Sequence, residues 1–528
     1  MADMHPTTSA FFDVKTFGAK GDGVHLDTVA IQIAINAAAK AGGGIVIFPA
    51  GEYLSFSLQL KSNIELHLSA GATLVAADPD QHKGRYDLAE PNEWDMYQDF
   101  GHSHWRNSLI WGEHLENIAI TGTGRIYGKG LTVNGPGPRR APKAGDMPLS
   151  LKGSDPHGEK VAEGKAFGDD MIGKGNKAIA LKLCRRVLLR DFSILMGGHF
   201  AVLATGVDQL SIDNLKIDTN RDALDIDCCR HVYITRCSVN SPNDDAICLK
   251  SSYALGKPLV TENINISQCQ VSGFDLGTFL DGTYGRTQQQ APDKDGVTGR
   301  IKLGTESNGG YKNITITDCV FERCRGLAIE SVDGAIIENV TINNIVMREL
   351  MNPPLFIRLG RRMRAPEGSV VGKIKNINIS NVIATEVDAR YASIIAGLPD
   401  HPIENVRLSN IHISHKGGGT LTDAALELPE NEISYPEPSM FGTTNVHGLF
   451  ARHVKNLDVH HVSFAYETAD ERPAIGVHNV IGAHFDAVRL PTQNNACVFT
   501  LKSVQDFGVS NSSGIEDVKR KYVEQELL

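Results

Sequence analysis

Residues 374–384, IKNINISNVIA, and residues 403–413, IENVRLSNIHI, carry the pattern that decides the fold. In both stretches apolar residues alternate with polar ones, and isoleucine and valine fill most of the apolar positions. Strict alternation of this kind predicts a short β-strand with one buried face. An asparagine precedes each alternating run, at Asn376 and Asn405. The two stretches are therefore copies of one unit that consists of a turn and a strand.

The same unit recurs along most of the chain. Its copies lie near the following residues: Asn117, Val187, Leu210, Val232, Asn263, Asn313, Asn339, Asn376, Asn405 and Asn456. The closest copies are about 22–26 residues apart, which fits one coil of a β-solenoid and is too short for a βαβ unit. We therefore predict an all-β fold, a parallel β-helix formed as one domain over residues 1–528. Asparagine side chains at the same turn of successive coils are expected to stack and to hydrogen-bond to one another.

The two ends of the chain differ from the repeats. The stretch TVAIQIAINAAAKA, with Asp27 as its N-cap, predicts a helix that ends at three glycines and covers the open N-terminal end of the solenoid. We place this cap and the first coils at about 11–70 and the main coils at about 108–490. Residues 491–528 are expected to form a C-terminal appendage, because SGIEDVKRKYVEQELL has a helical pattern. The stretch from Gly124 to Gly175 is predicted to be rich in loops.

Composition excludes several partners. The net charge of −10 disfavours binding to nucleic acid or to an anionic membrane, and no run of residues is apolar enough to span a membrane. Nine cysteines in so long a chain do not indicate a disulfide framework, and we predict no metal and no cofactor. The first residues lack the regions of a signal peptide. We expect a cytoplasmic location if this is the full native chain, and an extracellular or periplasmic one if a signal was removed.

Aspartates are concentrated in two successive coils. The first contains Asp222, Asp225 and Asp227 in DALDID, and the second contains Asp244 and Asp245 in NDDAICLK. If one coil takes about 22 residues, Asp222 and Asp244 lie one above the other at the same edge of a sheet. Neighbouring carboxylates raise one another's pKa, so one acts as an acid while another stays ionised. The alternative is that these aspartates cap turns or bind Ca²⁺.

Longer motifs give a specific resemblance. The segment FGAKGDGVHLDTVAIQIAINAA begins at Phe17, Asn220-Arg221-Asp222 is followed by ALDID, and Asp244-Asp245 stands in NDDAICLKS. With these motifs the chain resembles glycoside hydrolase family 28, the polygalacturonases, over most of its length. The resemblance implies a right-handed parallel β-helix and hydrolysis with inversion at an acidic plant-type glycan. It implies that Asp244 is the general acid, while Asp222 and Asp245 share the role of base.

Two family motifs are absent. Thr298 stands where the family has the histidine of Gly-His-Gly, and Ala328-Ile329-Glu330 replaces Arg-Ile-Lys, which holds the substrate carboxylate. We therefore expect a substrate specificity that differs from that of ordinary polygalacturonases.

The positive charge is predicted to have moved to neighbouring coils. Aligning AICLK, RIKLG, LAIE and FIRLG as successive rungs places Leu249, Leu303, Ile329 and Leu359 in the interior, and Cys248, Lys302, Ala328 and Arg358 on the cleft face. Arg358 is then expected to grip a carboxylate, with Lys302 and Lys250 as point charges. Alternatively, Lys302, Glu330 and Arg358 form a ladder of salt bridges. The candidate substrate-binding residues are Lys250, Lys302, Arg358, Glu330, His199 and Asp225.

Three questions of function stay open at this point. Residues 274–296 form a long loop beside the aspartates that would favour the removal of terminal sugars. A polysaccharide lyase of the same fold would use the aspartates to hold Ca²⁺ and a lysine or arginine to abstract a proton. A glycan-binding β-helix without activity would leave the aspartate cluster unexplained, and such proteins are expected to present aromatic platforms, whereas aromatics make up only 6% of this chain.

Overall fold

In the computed structural model, which describes residues 10–135, 171–491 and 497–528, the chain coils so that its strands stack in three parallel columns. The first column contains the recurring unit of the sequence. The second column lies at a corner of each early coil, and the third carries the aspartates. The predicted parallel β-helix is confirmed.

The strands of the first column are Phe11–Asp13, Gly44–Phe48, Ile64–Leu68, Glu116–Thr121, Arg185–Arg190, Asp208–Asp213, Arg230–Thr235, Thr261–Ser267, Tyr311–Glu322, Ile336–Arg348, Lys373–Val387, Ile403–Gly417, Leu449–Thr468, Ile475–Asp486, Phe499–Ser510 and Val518–Leu527. Those of the second are Asp22–Leu26, Gly51–Ser55, Ala72–Ala76, Arg125–Tyr127, Ser193–Leu195, Lys216–Asp218, Ser238–Asn240 and Gln270–Ser272. Those of the third are Leu58–Gln59, Ile110–Glu113, Lys177–Lys182, Phe200–Thr205, Asp222–Asp227, Ile247–Ser251, Ile301–Ser307, Leu327–Ser331, Leu355–Leu359 and Ser393–Ala396, and the column continues into the start of Leu449–Thr468. The helices are Thr28–Lys40 and Leu421–Ala424, with 3-10 turns at Val14–Phe17, Asp95–Tyr97 and Pro438–Phe441.

The core is a set of apolar stacks that run along the axis of the helix. In one stack Ile314, Val340, Ile377, Val406 and Leu457 occupy the same position in successive coils, and all five are buried. Burying each such side chain contributes about 1.5–3 kcal/mol. The alternation that is visible in the sequence thus produces a core that continues from coil to coil.

Asparagines form a ladder along one turn of the first column. Asn313, Asn339, Asn376, Asn405 and Asn456 each donate from the side-chain amide to the amide oxygen of the asparagine in the preceding coil, with N···O distances of 2.9–3.2 Å. Each of them has a positive φ, between 57° and 62°, a backbone conformation that asparagine adopts more readily than most residues. The predicted stacking is confirmed.

The N-terminal helix is found where it was predicted, at Thr28–Lys40, and it buries Ile31 and Ile35 against the core. Asp27 precedes it, but its carboxylate accepts hydrogen bonds from the backbone of Lys20 and Gly21 instead of capping the helix. None of the helices in the described ranges is long and apolar enough to cross a membrane.

The helical prediction for the C-terminus is wrong. Val518–Leu527 is a strand that pairs antiparallel with Phe499–Ser510. The last coil would otherwise leave a row of unpaired backbone groups at its edge, and the added strand satisfies them. The division into cap, main coils and appendage stays a prediction. Most of the predicted loop between Gly124 and Gly175 lies outside the described residues.

The asparagine ladder gives a test of the fold. Replacing Asn376 with alanine removes hydrogen bonds to Asn339 and Asn405 and leaves alanine at a φ of 59°. We expect the free energy of unfolding to fall by about 1–2 kcal/mol, measured by urea denaturation. Asn378→Ala, two residues along the same strand, is the matched control and should change it by less than about 0.5 kcal/mol. Equal effects of the two substitutions would contradict a special role of the ladder.

Candidate active site

The aspartate cluster lies at the start of two neighbouring strands of the third column. Leu224 pairs with Ile247, so the backbone register is offset by 23 residues, and Ala223 donates to the carbonyl of Asp245. Asp245, and not Asp244, therefore continues the rung of Asp222. The expected vertical alignment of Asp222 and Asp244 is wrong by one residue, because this coil is one residue longer than assumed.

The side chains nevertheless converge. One oxygen each from Asp222 and Asp244 and one ring nitrogen of His199 all lie within 4.8 Å of one another. These three residues also form the group that could hold a metal ion among the residues that the structure describes. His199 stacks on Phe100, with ring centroids 4.4 Å apart, and its Nδ1 lies in hydrogen-bonding range of the carbonyl of Val133. His199 thus lies beside the aspartates, and its predicted contact with substrate stays a prediction.

The three aspartates have different surroundings. Burial, reinforced by the charge of Asp244, raises the pKa of Asp222 well above its usual range. Against the effect of burial, the cations Lys302 and Arg300 lower the pKa of Asp245. Arg300 Nε donates to Asp245 Oδ1 at 2.8 Å, and Lys302 Nζ lies 3.3 Å from Oδ2. These surroundings therefore favour the protonated form of Asp222 and the ionised form of Asp245.

Asp244 is the most accessible of the three, with a quarter of its side chain exposed. Its Oδ1 accepts a hydrogen bond from the backbone of Asp245, and its Oδ2 lies 2.8 Å from Nη2 of Arg221. The turn that bears it is held by Gly299, whose backbone donates to the carbonyl of Asp244. Of the three carboxyl groups, Asp244 is therefore the one best placed to meet a ligand from solvent.

Lys250 connects the cluster to a second layer of charges. Its Nζ lies 3.1 Å from Glu306, 3.5 Å from Asp225 and 4.0 Å from Asp222. Asp225 is fully buried, and burial raises its pKa to about 8 despite the charge of Lys250. His102, whose pKa burial lowers to about 4, packs beside it at 3.6 Å. Asp225 supports the site from beneath, so the predicted direct contact with substrate is contradicted by its burial.

Two other predicted ligands are also enclosed. Glu330 is fully buried, burial raises its pKa to about 7, and Lys302 lies 3.6 Å from it. Arg358 is fully buried and donates to the carbonyls of Gly397 and Glu430. The predicted grip of Arg358 on a substrate carboxylate is therefore wrong. Lys302 and Glu330 do form the pair expected of a ladder of salt bridges, whereas Arg358 bonds to backbone oxygens.

The register explains this outcome. Ala328 pairs with Phe356, and Glu330 pairs with Arg358. Arg358 therefore lies one strand after Glu330, two residues beyond the position assumed from the sequence. Ile329 accordingly aligns with Ile357 and not with Leu359. Ile329 and Leu359 nevertheless both point into the core, as expected.

A segment at residues 426–441, here called the strap, covers the cleft face beyond Lys302. Its backbone carbonyls accept hydrogen bonds from Arg358 and from Arg452. Glu437 binds Arg300, and Tyr435 accepts a hydrogen bond from Thr305. Apolar residues of the strap bury the outward faces of the rungs beneath them, in a cluster made of Ala328, Phe356, Ala392, Ile394, Ala396, Leu428, Met440, Phe441, Val446 and Phe450.

A second cover lies on the other side of the aspartates. Trp105 packs on the outward residues of the earlier rungs, in a cluster with Trp111, Ala180, Phe200, Leu203 and Ala254. In the same loop Asp99 pairs with Arg364. The two covers thus lie on either side of the rungs around Asp222, Asp244 and Lys250.

Comparison with known proteins agrees with this architecture. A family model described as "Rhamnogalacturonase A/epimerase, pectate lyase-like" matches residues 11–76, and one described as "Right handed beta helix region" matches residues 200–349. An exopolygalacturonase from Thermotoga maritima has the same fold, with a TM-score of 0.58 and 18% identity over 98% of this chain and 95% of that one. A family 28 exopolygalacturonase from Yersinia enterocolitica gives 0.60 and 17%, over 96% and 79%. The fold is a right-handed parallel β-helix.

Curated proteins with these activities are also similar to this chain in sequence. A polygalacturonase of Chamaecyparis obtusa is 22% identical over 424 residues, which are 77% of this chain and 68% of the relative. An exo-poly-alpha-D-galacturonosidase of Dickeya chrysanthemi is 32% identical over 172 residues, 32% of this chain and 26% of that protein. The chain is thus similar in sequence to proteins named as a polygalacturonase and as an exo-poly-alpha-D-galacturonosidase.

Thr298 and Ala328 are two of the positions at which the sequence departs from the family 28 motifs. Thr298, in the place of the family histidine, donates from its backbone to Pro242, on the turn that bears Asp244. Ala328, in the place of the family arginine, lies buried under the strap. The two substitutions that are visible in the sequence therefore fall beside the site, as expected.

Several residues of the site were not predicted. Arg300 and Glu306 stand in the motif RIKLGTES, on the rung next to Asp245. Their charges, in a strand that also contains apolar residues, were the signal that could have identified them as residues of the site. His102 and Phe100 lie in a loop about 120 residues before Asp222. No pattern in the sequence brings that loop to the aspartates, because its position depends on packing around Trp105.

The buried carboxyl of Asp225 gives a test of these electrostatics. In the folded protein it keeps its proton up to about pH 8, whereas an unfolded aspartate loses it near pH 4. Between these values the unfolded state binds fewer protons, so stability falls as the pH rises. We expect the urea midpoint of Asp225→Asn to fall less between pH 5 and pH 8 than that of the wild type.

Asp208→Asn is the control. Burial raises the pKa of Asp208, but hydrogen bonds from His231 and Arg230 outweigh this effect and lower the pKa. Replacing Asp208 should therefore not reduce the loss of stability that occurs as the pH rises. A midpoint for Asp225→Asn that depends on pH as the wild type does would contradict the assignment.

Proposed function

We propose that the protein is an O-glycoside hydrolase that cleaves a uronic-acid-containing glycan of the pectic type, with Asp222, Asp244 and Asp245 as its catalytic residues. The observation that carries this proposal is the convergence of Asp222 and Asp244 within 4.8 Å beside an ionised Asp245. Hydrolysis of a glycosidic bond needs one carboxylic acid and one carboxylate, and this cluster supplies both. Relatives that are named as polygalacturonases support the substrate class.

The division of roles follows from the surroundings of each carboxyl group. Burial and the charge of Asp244 raise the pKa of Asp222 well above its usual range, so Asp222 favours its protonated form and is the source of the proton. Asp244 delivers this proton to the leaving oxygen, because it is the carboxyl group most accessible to a ligand. Asp245, kept ionised by Arg300 and Lys302, acts with Asp222 as the base that activates water once the proton has left.

Inversion of the anomeric centre is part of the proposal and rests on the resemblance to family 28. In inverting enzymes the acid and the base stand about 6.5–9.5 Å apart, and in retaining ones about 5–5.5 Å. One oxygen of Asp222 lies within 4.8 Å of one oxygen of Asp244, which is closer than the inverting range. We therefore assign the water-activating role mainly to Asp245, whose pKa Lys302 and Arg300 lower against the effect of burial. Proton NMR of the first product formed reports the outcome directly.

We further infer that the enzyme removes sugars from chain ends. The strap and the loop around Trp105 cover the cleft face on both sides of the aspartates, which leaves room for the end of a chain rather than its middle. The long loop at residues 274–296, which first suggested this mode of action, contacts the same turn through a hydrogen bond between Gln288 and Asn243. Exopolygalacturonases among the proteins of the same fold agree with the proposal.

Substitution of the aspartates tests the hydrolase proposal. We expect Asp222→Asn, Asp244→Asn and Asp245→Asn each to lower kcat on oligogalacturonates by about 10²–10⁴-fold, because each removes a proton donor or acceptor of the reaction. Reducing ends are measured for the wild type and the variants, and circular dichroism confirms the fold. Asp213→Asn, on the exposed face of the first column, is the control and should keep full activity.

An aryl galacturonide whose leaving group has a low pKa distinguishes the proposed acid, Asp244, from the proposed base, Asp245. Such a leaving group needs no proton, so Asp244→Asn should regain most of its activity on this substrate while Asp245→Asn should not. The opposite result would exchange the two roles. If digestion instead raises the ultraviolet absorbance of an unsaturated uronate and stops on chelation, the protein is a lyase that uses the group of His199, Asp222 and Asp244 for a metal.

The product profile tests the mode of action. With polygalacturonate we expect one small product from the start of the reaction, and a viscosity that falls slowly relative to the number of reducing ends formed. Chromatography and viscometry of the same samples measure both. Early release of mixed long oligosaccharides would show that the covers do not close the cleft.

A further inference from the structure

The long loop at residues 274–296 forms a cavity together with two turns of later coils. The cavity has a volume of about 280 Å³, and the two turns contribute Met351 and Arg390 to its lining. This size is close to the lower end of ligand pockets, about 300 Å³, and suits a single sugar ring. The same loop contacts the turn of Asp244, because Gln288 donates a hydrogen bond to Asn243.

The cavity lies along the edge of the third column at which Asp244 stands. Met351 and Arg390 belong to the turns before Leu355–Leu359 and Ser393–Ala396. These strands are the third and the fourth after Ile247–Ser251, the strand that follows Asp244. Since coils are about 4.8 Å apart, the two residues lie about 14–19 Å beyond Asp244 along the axis of the helix.

The strap directs the leaving part of a glycan towards this edge. The proposed acid, Asp244, gives its proton to the leaving oxygen, so the leaving sugars begin at the turn of Asp244. Apolar residues of the strap bury the outward faces of Ala328, Phe356 and Ile394, so the sugars cannot continue over those rungs. The edge that holds the cavity is the alternative route.

Asp295 brings a buried acceptor to the lining of the cavity. The residue is only 6% exposed, and its Oδ1 accepts hydrogen bonds from Nη2 of Arg390 and from the backbone of Gly296, each at 2.9 Å. Its Oδ2 is also buried, and within the described part of the chain it has no hydrogen-bond partner. A buried carboxylate oxygen without a donor is unfavourable, and the hydroxyl of a sugar would supply that donor.

Lys294 and Arg390 bring positive charge to the same cavity. Lys294 is exposed, and no carboxylate of the described ranges pairs with it. Arg390 is 46% exposed and is held by Asp388, whose oxygens lie 3.0 Å from Nε and 3.1 Å from Nη2. Because the guanidinium is already fixed, binding a ligand through Nη1 costs little side-chain entropy.

We propose that this cavity binds a uronate residue on the leaving side of the glycan, several sugars away from the scissile bond. Lys294 and Nη1 of Arg390 bind its carboxylate, Asp295 accepts from a hydroxyl, and Met351 packs against the ring. The inference rests on the proposed function. A second point of attachment makes long acidic chains better substrates than short ones, because a short product cannot occupy both sites.

The length of the substrate separates this site from the site of cleavage. Trigalacturonate has at most two sugars on the leaving side, whereas hexagalacturonate has up to five and reaches the cavity. We expect Lys294→Gln to lower kcat/KM for the hexamer by about 3- to 10-fold, and for the trimer by less than about 1.5-fold. Lys294→Arg should keep most of the wild-type value, and Lys294→Glu should lower the value for the hexamer further, because it repels the carboxylate.

Lys257→Gln is the matched control, because it removes an exposed lysine from the turn after Ile247–Ser251, at the opposite edge of the third column. It should change neither value. Calorimetry in an Asp245→Asn background measures binding without cleavage, and there Lys294→Gln should weaken the hexamer alone.

An unchanged affinity for the hexamer, or an equal loss for both lengths, would overturn the inference. If the wild type releases sugar from neither oligomer, the proposed hydrolase fails and the inference falls with it, which is a distinct result.

Discussion

The stacking of coils in parallel register is the constraint on which the rest of this structure depends. Backbone hydrogen bonds hold successive coils about 4.8 Å apart, so each side chain has a defined neighbour in the coil before and after it. The buried column from Ile314 to Leu457 and the ladder of asparagines follow from this repetition. The aspartate cluster follows from it too, because Asp222 and Asp245 share a rung only in this register.

The buried network of charged side chains is the main unfavourable contribution to the free energy of folding that comes from placing the site on the β-helix. Several carboxylates and cations lie almost out of contact with water, and unpaired charges there would be strongly unfavourable. Lys302 and Arg300 neutralise Asp245, whereas Asp222 is left with the like charge of Asp244 beside it. Identical side chains thereby acquire pKa values that are shifted in opposite directions. That difference is what the cleavage of a glycosidic bond requires.

The solenoid itself would offer an open groove along its length, and additions to the repeat decide how much of it a glycan could reach. The strap and the loop that carries Trp105 come from opposite parts of the chain, yet both cover the same column. The strap also reaches the rung of Asp245, since its Glu437 binds the Arg300 that holds Asp245. Coverage of the third column and the charge state of Asp245 are therefore linked.

Much of this protein could be predicted from its sequence, because the pattern involved is local and repeats. Alternating apolar residues determine the strands, the spacing of copies determines the coil, and residues such as Asn376 determine the turns. The motifs around Asp222 and Asp244 likewise identify the site, since neighbouring coils bring them together wherever they stack. The C-terminal strand at Val518–Leu527 was missed because its partner edge, and not its own pattern, decides its conformation.

Only the tertiary structure decided which coil residues meet across the site. A coil of 23 instead of 22 residues moved Asp245 onto the rung of Asp222, and a shift of two residues placed Arg358 beside Glu330. The strap then enclosed Arg358, and a distant loop brought His102 beside Asp225. Strand pairing tolerates such changes in coil length because insertions are absorbed in the turns, so register and loop position depend on packing between distant segments and are not encoded in any short stretch of sequence.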